Sequence, residues 1–465
     1  MCTTSAIDFL PASVTPVNFT MSATLAALAF VGGVATHLFY YKQYELHLYP
    51  WRNVQTFVVV ATAIVIAHVQ SYAMPIGVAL SATLFLAGSF FTGLLTSLLI
   101  YRAFFNPLNK FPGPFMARIS KLSAAIRNRK LDGHHQLLRL HEKYGPFVRI
   151  GPNDLSIVDP DGVQVISAPN SKCIKSIWYD GDSPLTSLHT TRDKGLHDRR
   201  RRIWAPAFSD KALRGYQARI EKFNDMLLQK LENASGQPVN ATKWFSLYSF
   251  DVMGDLGFGE PFDMLESGEE HWAIALLSAG MDPMGFWFPI WFFRTLISIP
   301  GAATGYHRFV NYCSEQIQKR IKLEKNTYSD VAGYLVDAYE KSKDDKDALP
   351  HIVADSRLII VAGSDTTSAT LTHMSYYLAG HPDMVETIRK EVEPMMDANG
   401  SVSYVKTQDA HYLNGCIHEA LRLHPPVPCG VFRQTPKEGV FIGETFVEGN
   451  TVIQMPGYVM ARGES

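Results

Sequence analysis

The pattern of apolar and polar positions divides this chain into two very different parts. From Phe9 to Tyr41 there is no Asp, Glu, Lys or Arg, and residues 23–39 are apolar enough to form a membrane helix. A shorter apolar run, residues 54–69, carries Gln55 and His68, and a third, Ile76 to Ile100, holds no charged residue at all. Residues 1–102 therefore read as an anchor of two or three transmembrane helices. A cleaved signal peptide is not expected, since the N-terminus lacks a basic region and further apolar runs follow. Lys42 and Arg52 lie between the first and second runs, and Arg102 and Lys110 follow the third. By the positive-inside rule this places the N-terminus on the luminal side, with the Asn18-Phe19-Thr20 sequon, and everything after Arg102 in the cytosol.

Beyond residue 102 the pattern becomes that of a globular domain. Asn106-Pro107 and Phe111-Pro112-Gly113-Pro114 cannot continue a helix, so residues 103–115 read as a hinge. Phe147 to Ile150 and Leu155 to Val158 flank Gly151-Pro152-Asn153 as two short strands around a turn. After them the spacing turns predominantly helical, giving a mainly α fold with a small β region.

One apolar segment, from Pro350 to Ala379, organises the rest. Pro350 suits the first turn of a helix, and Gly380 with Pro382 marks its end. At about 1.5 Å per residue it would span roughly 45 Å. Its centre, Gly363-Ser364-Asp365-Thr366-Thr367, consists of poor helix formers costing roughly 0.5–1 kcal/mol each relative to Ala. Two readings stay open at this level. Either side-chain oxygens bond nearby carbonyls or water and open a ligand groove, or the helix ends and a new one is capped at Ser364 or Asp365.

Downstream, Pro382 to Met396 reads as a helix with Val385, Ile388 and Val392 on one side, and a further helix runs from Gln408 to His424 before Pro425-Pro426. On the latter, Glu419 and Arg422 are three apart and can form a same-face ion pair. Leu413, Cys416, Ile417, Ala420, Leu421 and Leu423 leave this helix apolar nearly all round, as for a buried element. Val440 to Glu444, Phe446 to Gly449 and Val452 to Gln454 read as a hairpin and a following strand.

Two tracts stand out chemically. His197-Asp198-Arg199-Arg200-Arg201-Arg202-Ile203-Trp204 is a basic run on a helix, with His197 and Arg201 four apart and able to clasp one anion; a solvated face is the plainer reading. Met281 to Phe293 is rich in aromatic residues among Pro and Gly, which suits the bilayer surface, an apolar access route or core packing.

Composition narrows the options. A formal net charge of −1 gives no reason to expect nucleic acid as a partner. The five cysteines have no paired spacing, which favours free thiols in a reducing compartment.

These marks together resemble the cytochrome P-450 family of haem-thiolate monooxygenases, specifically a fungal-like membrane-bound member, over nearly everything after Phe111. Ala362-Gly363-Ser364-Asp365-Thr366-Thr367 is similar to the family's distal-helix motif, and Glu419-Ala420-Leu421-Arg422 to its Glu-x-x-Arg motif. The Phe-Pro-Gly-Pro hinge, the basic run ending in Trp204 and Phe432-Arg433-Gln434-Thr435 fall in the matching order. The resemblance implies a haem cofactor, molecular oxygen, an NADPH-dependent flavoprotein reductase and a lipophilic small-molecule substrate at the endoplasmic reticulum membrane. It assigns Asp365 and Thr366 to a proton relay, Ala362 and Gly363 to the oxygen pocket, and His197, Arg201 and Arg433 to the haem propionates. Glu419 and Arg422 become structural, locking their helix to a later segment, and no other metal site is implied.

One departure is expected to matter. The family's cysteine thiolate loop lies beyond the last residue of this chain, and neither Cys416 nor Cys429 has its context. The chain then represents either a monooxygenase truncated before that loop, inactive on its own, or a haem-free membrane protein without oxygenase activity. The expected outcome for these 465 residues is no reduced carbon monoxide band at the position typical of thiolate-bound haem, and a clear band would contradict it.

Overall fold

The computed structural model describes residues 16–322, 330–342, 346–398 and 400–463, without the side chains of residues 16–22 and 278–284. The side chains of the Asn18 sequon, those of Met281 to Met284, and Cys2 thus lie outside the described residues. The chain divides into two compact units, Met1–Asn109 and Lys110–Ser465.

The first unit is built from helices α1 (Pro16–Thr36), α2 (Pro50–Tyr72) and α3 (Ile76–Ile100). It contains three helices long and apolar enough to cross a membrane, including the second, which is longer than its apolar run suggested. Helices α1 and α3 pack backbone against backbone. A Cβ on Gly33 would stand 2.0 Å from the Phe90 carbonyl oxygen, and one on Gly93 2.1 Å from that of Phe30. Lipid offers no hydrophobic drive for this pairing, so close van der Waals approach and polar contacts must supply it. One polar contact is the 2.8 Å hydrogen bond between His37 Nδ1 and Ser97 Oγ.

The second unit sets a small sheet beside a helical body. The elements needed below are helix α4 (Gly133–Tyr144), strands β1 (Phe147–Gly151), β2 (Asp154–Ile157) and β3 (Ile174–Lys175), and helices α5 (Lys194–Trp204), α6 (Asp210–Asn233), α7 (Ala241–Phe258) and α8 (Trp272–Gly285). Helices α9 (Ile290–Ile297), α10 (Thr304–Lys322), α11 (Val331–Glu340), α12 (Ala348–Gly380), α13 (Pro382–Val392) and α14 (His411–Leu423) follow. Strands β4 (Phe432–Gln434), β5 (Val440–Ile442), β6 (Thr445–Val447) and β7 (Val452–Gln454) complete the set.

The larger sheet has the order β1-β2-β7-β4-β3, and β5 pairs with β6 alone. The β1–β2 hairpin forms where the alternation placed it. Gly113 of the Pro-Gly-Pro stretch lies so close to β1 that a Cβ there would be 2.3 Å from the Arg149 carbonyl oxygen. Strand β7 runs parallel to β2 and antiparallel to β4, so residues 452–454 lie between strands from opposite ends of the second unit's sequence. The short strands β3 and β4 carry no alternation readable from sequence.

The helical body shares one core, with Phe250, Phe309, Ile317, Leu335 and Ile360 among its buried residues. Helix α12 runs through it unbroken for 33 residues, roughly 50 Å. The second helix capped at Ser364 or Asp365 therefore does not form. The hydroxyls of Ser364, Thr366 and Thr367 donate to the carbonyls of Ile360, Ala362 and Gly363, each at 2.9 Å, and bond within the helix rather than breaking it.

Helix α14 starts at His411 rather than Gln408, because the Glu391 carboxylate of α13 accepts from the amides of Tyr412 and Leu413, both at 2.9 Å. Its expected burial is not found: only Ala420 is buried, since the apolar positions spread round the helix and are half-covered by α12 and α13.

The glycine contacts of the anchor predict that Gly93→Leu weakens the α1–α3 pair by about 1–3 kcal/mol. Energy transfer between labels on α1 and α3 in detergent should fall. Gly77→Leu, with nothing within 4 Å of its Cβ position, should leave the transfer unchanged.

Candidate active site

The middle of α12 has two faces. Ser364 and Ser368, four apart, are buried toward the core, whereas Ala362, Asp365 and Thr367 are exposed and Thr366 is half-buried. Gly363 has a packing reason for lacking a side chain. Its Cβ would stand 2.5 Å from Met253 Sδ of α7, so its bare position is filled by a neighbouring helix. Although Asp365 keeps an exposed surface, its carboxyl is raised above the usual carboxylate range, first by partial removal from water among its neighbours and then by the charge of Glu270.

The second component comes from the sheet. Antiparallel pairing of β3 with β4 sets Lys175 directly opposite Arg433. Two like charges in that relation oppose each other, and the surroundings add to the strain. Burial first, then the charges of Arg433 and Arg200, lower the Lys175 ammonium to about 8. Its Nζ donates to the Leu188 carbonyl at 3.0 Å. Burial and the charges of Lys175, Arg433 and Arg357 lower His189 to about 4, against a smaller opposing effect from Asp182. The Tyr179 ring stands edge-on to His189 with centroids 5.1 Å apart. A half-buried cation pair of this kind is suited to an anionic ligand.

The loop of residues 177–191 joins these two components. The Leu188 amide donates to Asp355 Oδ1 of α12 at 2.7 Å. Asp355 also takes Arg200 Nη2 at 2.6 Å and Trp204 Nε1 at 3.0 Å. Arg200 in turn donates to the Thr186 carbonyl and to Thr191 Oγ1, at 2.8 and 2.9 Å. Sequence reading missed both Arg200 and Asp355. The available signals were the four-residue spacing of Arg200 and Trp204 on one face of α5, and an acid inside an apolar helix.

The remaining residues singled out from sequence are placed as follows. His197 and Arg201 project from a different side of α5 than the buried Arg200. His197 Nδ1 lies 3.1 Å from Asp198 Oδ1, and Arg201 is exposed. Glu419 and Arg422 form a two-pronged ion pair at 2.7 and 2.8 Å, but half-exposed rather than buried. Arg422 also donates to the Ala461 carbonyl, and Arg462 donates to that of Leu423, so α14 is tied to the segment after β7. In the aromatic tract, Trp287 packs against Gly133 and the cluster of Leu137, Val148 and Ile150, while Trp291 is exposed. Burial pushes the thiols of Cys313 and Cys429 up to about 12 and raises those of Cys173 and Cys416, so none of these four is set up as a thiolate.

The crowding of Lys175 has a measurable consequence. The unfolded chain keeps this proton up to 10.5 and the fold only to about 8, so stability rises with pH between those values. The denaturation midpoint should increase from about pH 8 to about pH 10, and Lys175→Met should flatten that increase. An unchanged slope in the variant would contradict the geometry.

Comparison with known proteins identifies the family. Residues 113–465 match the cytochrome P-450 family profile. The chain is 45% identical over 443 residues to cytochrome P-450 monooxygenase lcsK of Purpureocillium lilacinum, covering 94% of this chain and 81% of that protein. It is 38% identical to cytochrome P-450 monooxygenase notG′ of Aspergillus versicolor, covering 96% and 82%. It is 37% identical to tryprostatin B 6-hydroxylase of Neosartorya fischeri, again covering 96% and 82%. By this match and by its fold, the chain belongs to the cytochrome P-450 family of monooxygenases.

Proposed function

We propose that this chain supplies the distal, oxygen-activating half and the propionate-binding cations of the haem site of a membrane-anchored monooxygenase that hydroxylates a lipophilic small molecule of fungal secondary metabolism, and that turnover requires the family's cysteine loop as well. The observation that carries the reading is the Asp365–Thr366 pair on the open face of an unbroken helix. The tryprostatin B 6-hydroxylase relative supports hydroxylation as the reaction type.

The residues fit haem. Lys175 and Arg433, paired across two strands with their charges uncompensated, offer the cations that two propionates need. By the family's pattern His197 and Arg201 of α5 would contribute further cations. Bound haem would supply the redox iron at which oxygen takes up two electrons, so that one atom enters a C–H bond and the other leaves as water. The chain's own task is to deliver two protons and exclude bulk water. Asp365, with its carboxyl raised by burial and Glu270, holds a proton closer to neutral pH than an ordinary carboxylate does. The Thr366 hydroxyl donates to the Ala362 carbonyl at 2.9 Å and keeps its lone pairs available to hold a water beside that acid. Ala362, small and on the exposed face, leaves room above the helix.

Electrons would come from an NADPH-dependent flavoprotein reductase. The exposed Arg199 and Arg202 of α5 offer it a basic face distinct from the buried Arg200. The three apolar helices and the cations at Lys42, Arg52, Arg102 and Lys110 support an endoplasmic reticulum anchor with a luminal N-terminus.

In a chain that also carries the family's cysteine loop, in membranes supplied with reductase and NADPH, Asp365→Asn should cut product formation by on the order of 100-fold. Thr366→Ala should lower product per NADPH and raise hydrogen peroxide release. Unchanged product yield in both variants would exclude this relay.

A further inference from the structure

The 177–191 loop is held by more than its contact with Asp355. Its turn at residues 180–183 is gripped from three separate helices. Arg294 of α9 donates through Nη1 to the carbonyls of Asp180, Gly181 and Ser183, at 2.7, 3.3 and 3.0 Å. Tyr306 of α10 donates to Asp182 Oδ1 at 2.6 Å. Arg357 of α12 reaches Asp182 Oδ2 at 2.9 Å and also donates to the Tyr306 hydroxyl. Asp182, Tyr306 and Arg357 thus close a triangle in which each touches the other two, with the Asp182 and Arg357 side chains only 19% and 10% exposed.

This arrangement links parts of the chain that lie far apart in sequence. Residues 180–183 belong to the loop that carries His189, between Lys175 and the helix of Arg200, whereas Arg294 lies in the helix that ends the aromatic tract and Tyr306 in the one after it. Arg357 lies eight residues before Asp365, roughly 12 Å along α12. A buried carboxylate that loses one of two such partners is left partly unpaired, which makes partial opening costly. Moving α9 and α10 away from α12 without moving the loop would break the Tyr306 bond and the three Arg294 bonds together.

We propose that Asp182 is a positioning residue that couples the 177–191 loop to α9 and α10, so that the wall beside α12 opens and closes as one piece. Asp182 thereby controls which substrates reach the open face of α12 and in what orientation. The assignment of substrate access rests on oxygenation taking place beside Ala362 to Thr366; the coupling itself does not depend on haem.

The test is hydrogen–deuterium exchange on the full chain in lipid nanodiscs, without added haem. Asp182→Asn should accelerate exchange in residues 177–188 and in residues 290–306 together, each by on the order of tenfold, with the urea midpoint little changed. Tyr306→Phe, which keeps the ring and loses the donated hydrogen bond, should shift both segments in the same direction by a smaller factor. This second variant keeps the test decisive if Asp182→Asn does not fold. Acceleration of the loop alone, or a lower urea midpoint with both segments at parental rates, would overturn the coupling and leave Asp182 a purely structural ion pair. Because the readout needs no cofactor, a chain that fails to bind haem but shows coupled exchange would sink the oxygenase reading and not the coupling.

Discussion

Two like charges facing each other across a pair of strands set the terms for this site. Lys175 and Arg433 are opposed because β3 pairs with β4 in that register, and β4 is in place only because β7 lies between it and β2. The sheet thus spends stability to hold two cations together beside a neutral His189. Such an arrangement makes physical sense where an anionic ligand offsets the repulsion, and the family to which the chain belongs binds a dicarboxylate cofactor. The strain in the sheet and the chemistry of the cofactor are two views of one constraint.

Helix α12 supplies the other fixed reference. Its core face is anchored by buried Ser364 and Ser368, and its bare Gly363 lets Met253 of α7 pack directly on the backbone. Two turns earlier the same helix carries Asp355 and Arg357, buried charges that hold the two ends of the 177–191 loop. One rod therefore presents the acid and hydroxyl at its centre and also fixes the 177–191 loop two turns earlier. Poor helix formers at residues 363–367 are tolerated because the flanking turns are packed on α7, α10 and α11.

Much of this was legible in sequence, for identifiable reasons. Long apolar runs gave the anchor helices, and alternation around Gly151-Pro152-Asn153 gave the first hairpin. Pro350 and Gly380 bracketed the central helix, and its unbroken course excludes the second capped helix that sequence had left open. What was not legible depended on long-range pairing. Strands β3 and β4 are two and three residues long and acquire their identity only from β7. Arg200 stood apart from its basic neighbours only by its four-residue spacing from Trp204, and it is Asp355, more than 150 residues away, that selects it. Glu419 and Arg422 form the expected pair, yet an apolar count round the helix overstated their burial, since half-covered positions read the same as buried ones.

The central claim is that the Lys175–Arg433 pair is shaped for two carboxylates. Its most direct test compares binding of metal-free protoporphyrin IX with that of its dimethyl ester, which has the same ring and no charge. The account predicts that the dicarboxylate binds at least about tenfold tighter, about 1.4 kcal/mol, and that Lys175→Met with Arg433→Met removes the difference. Equal binding of acid and ester to the parent chain would contradict it.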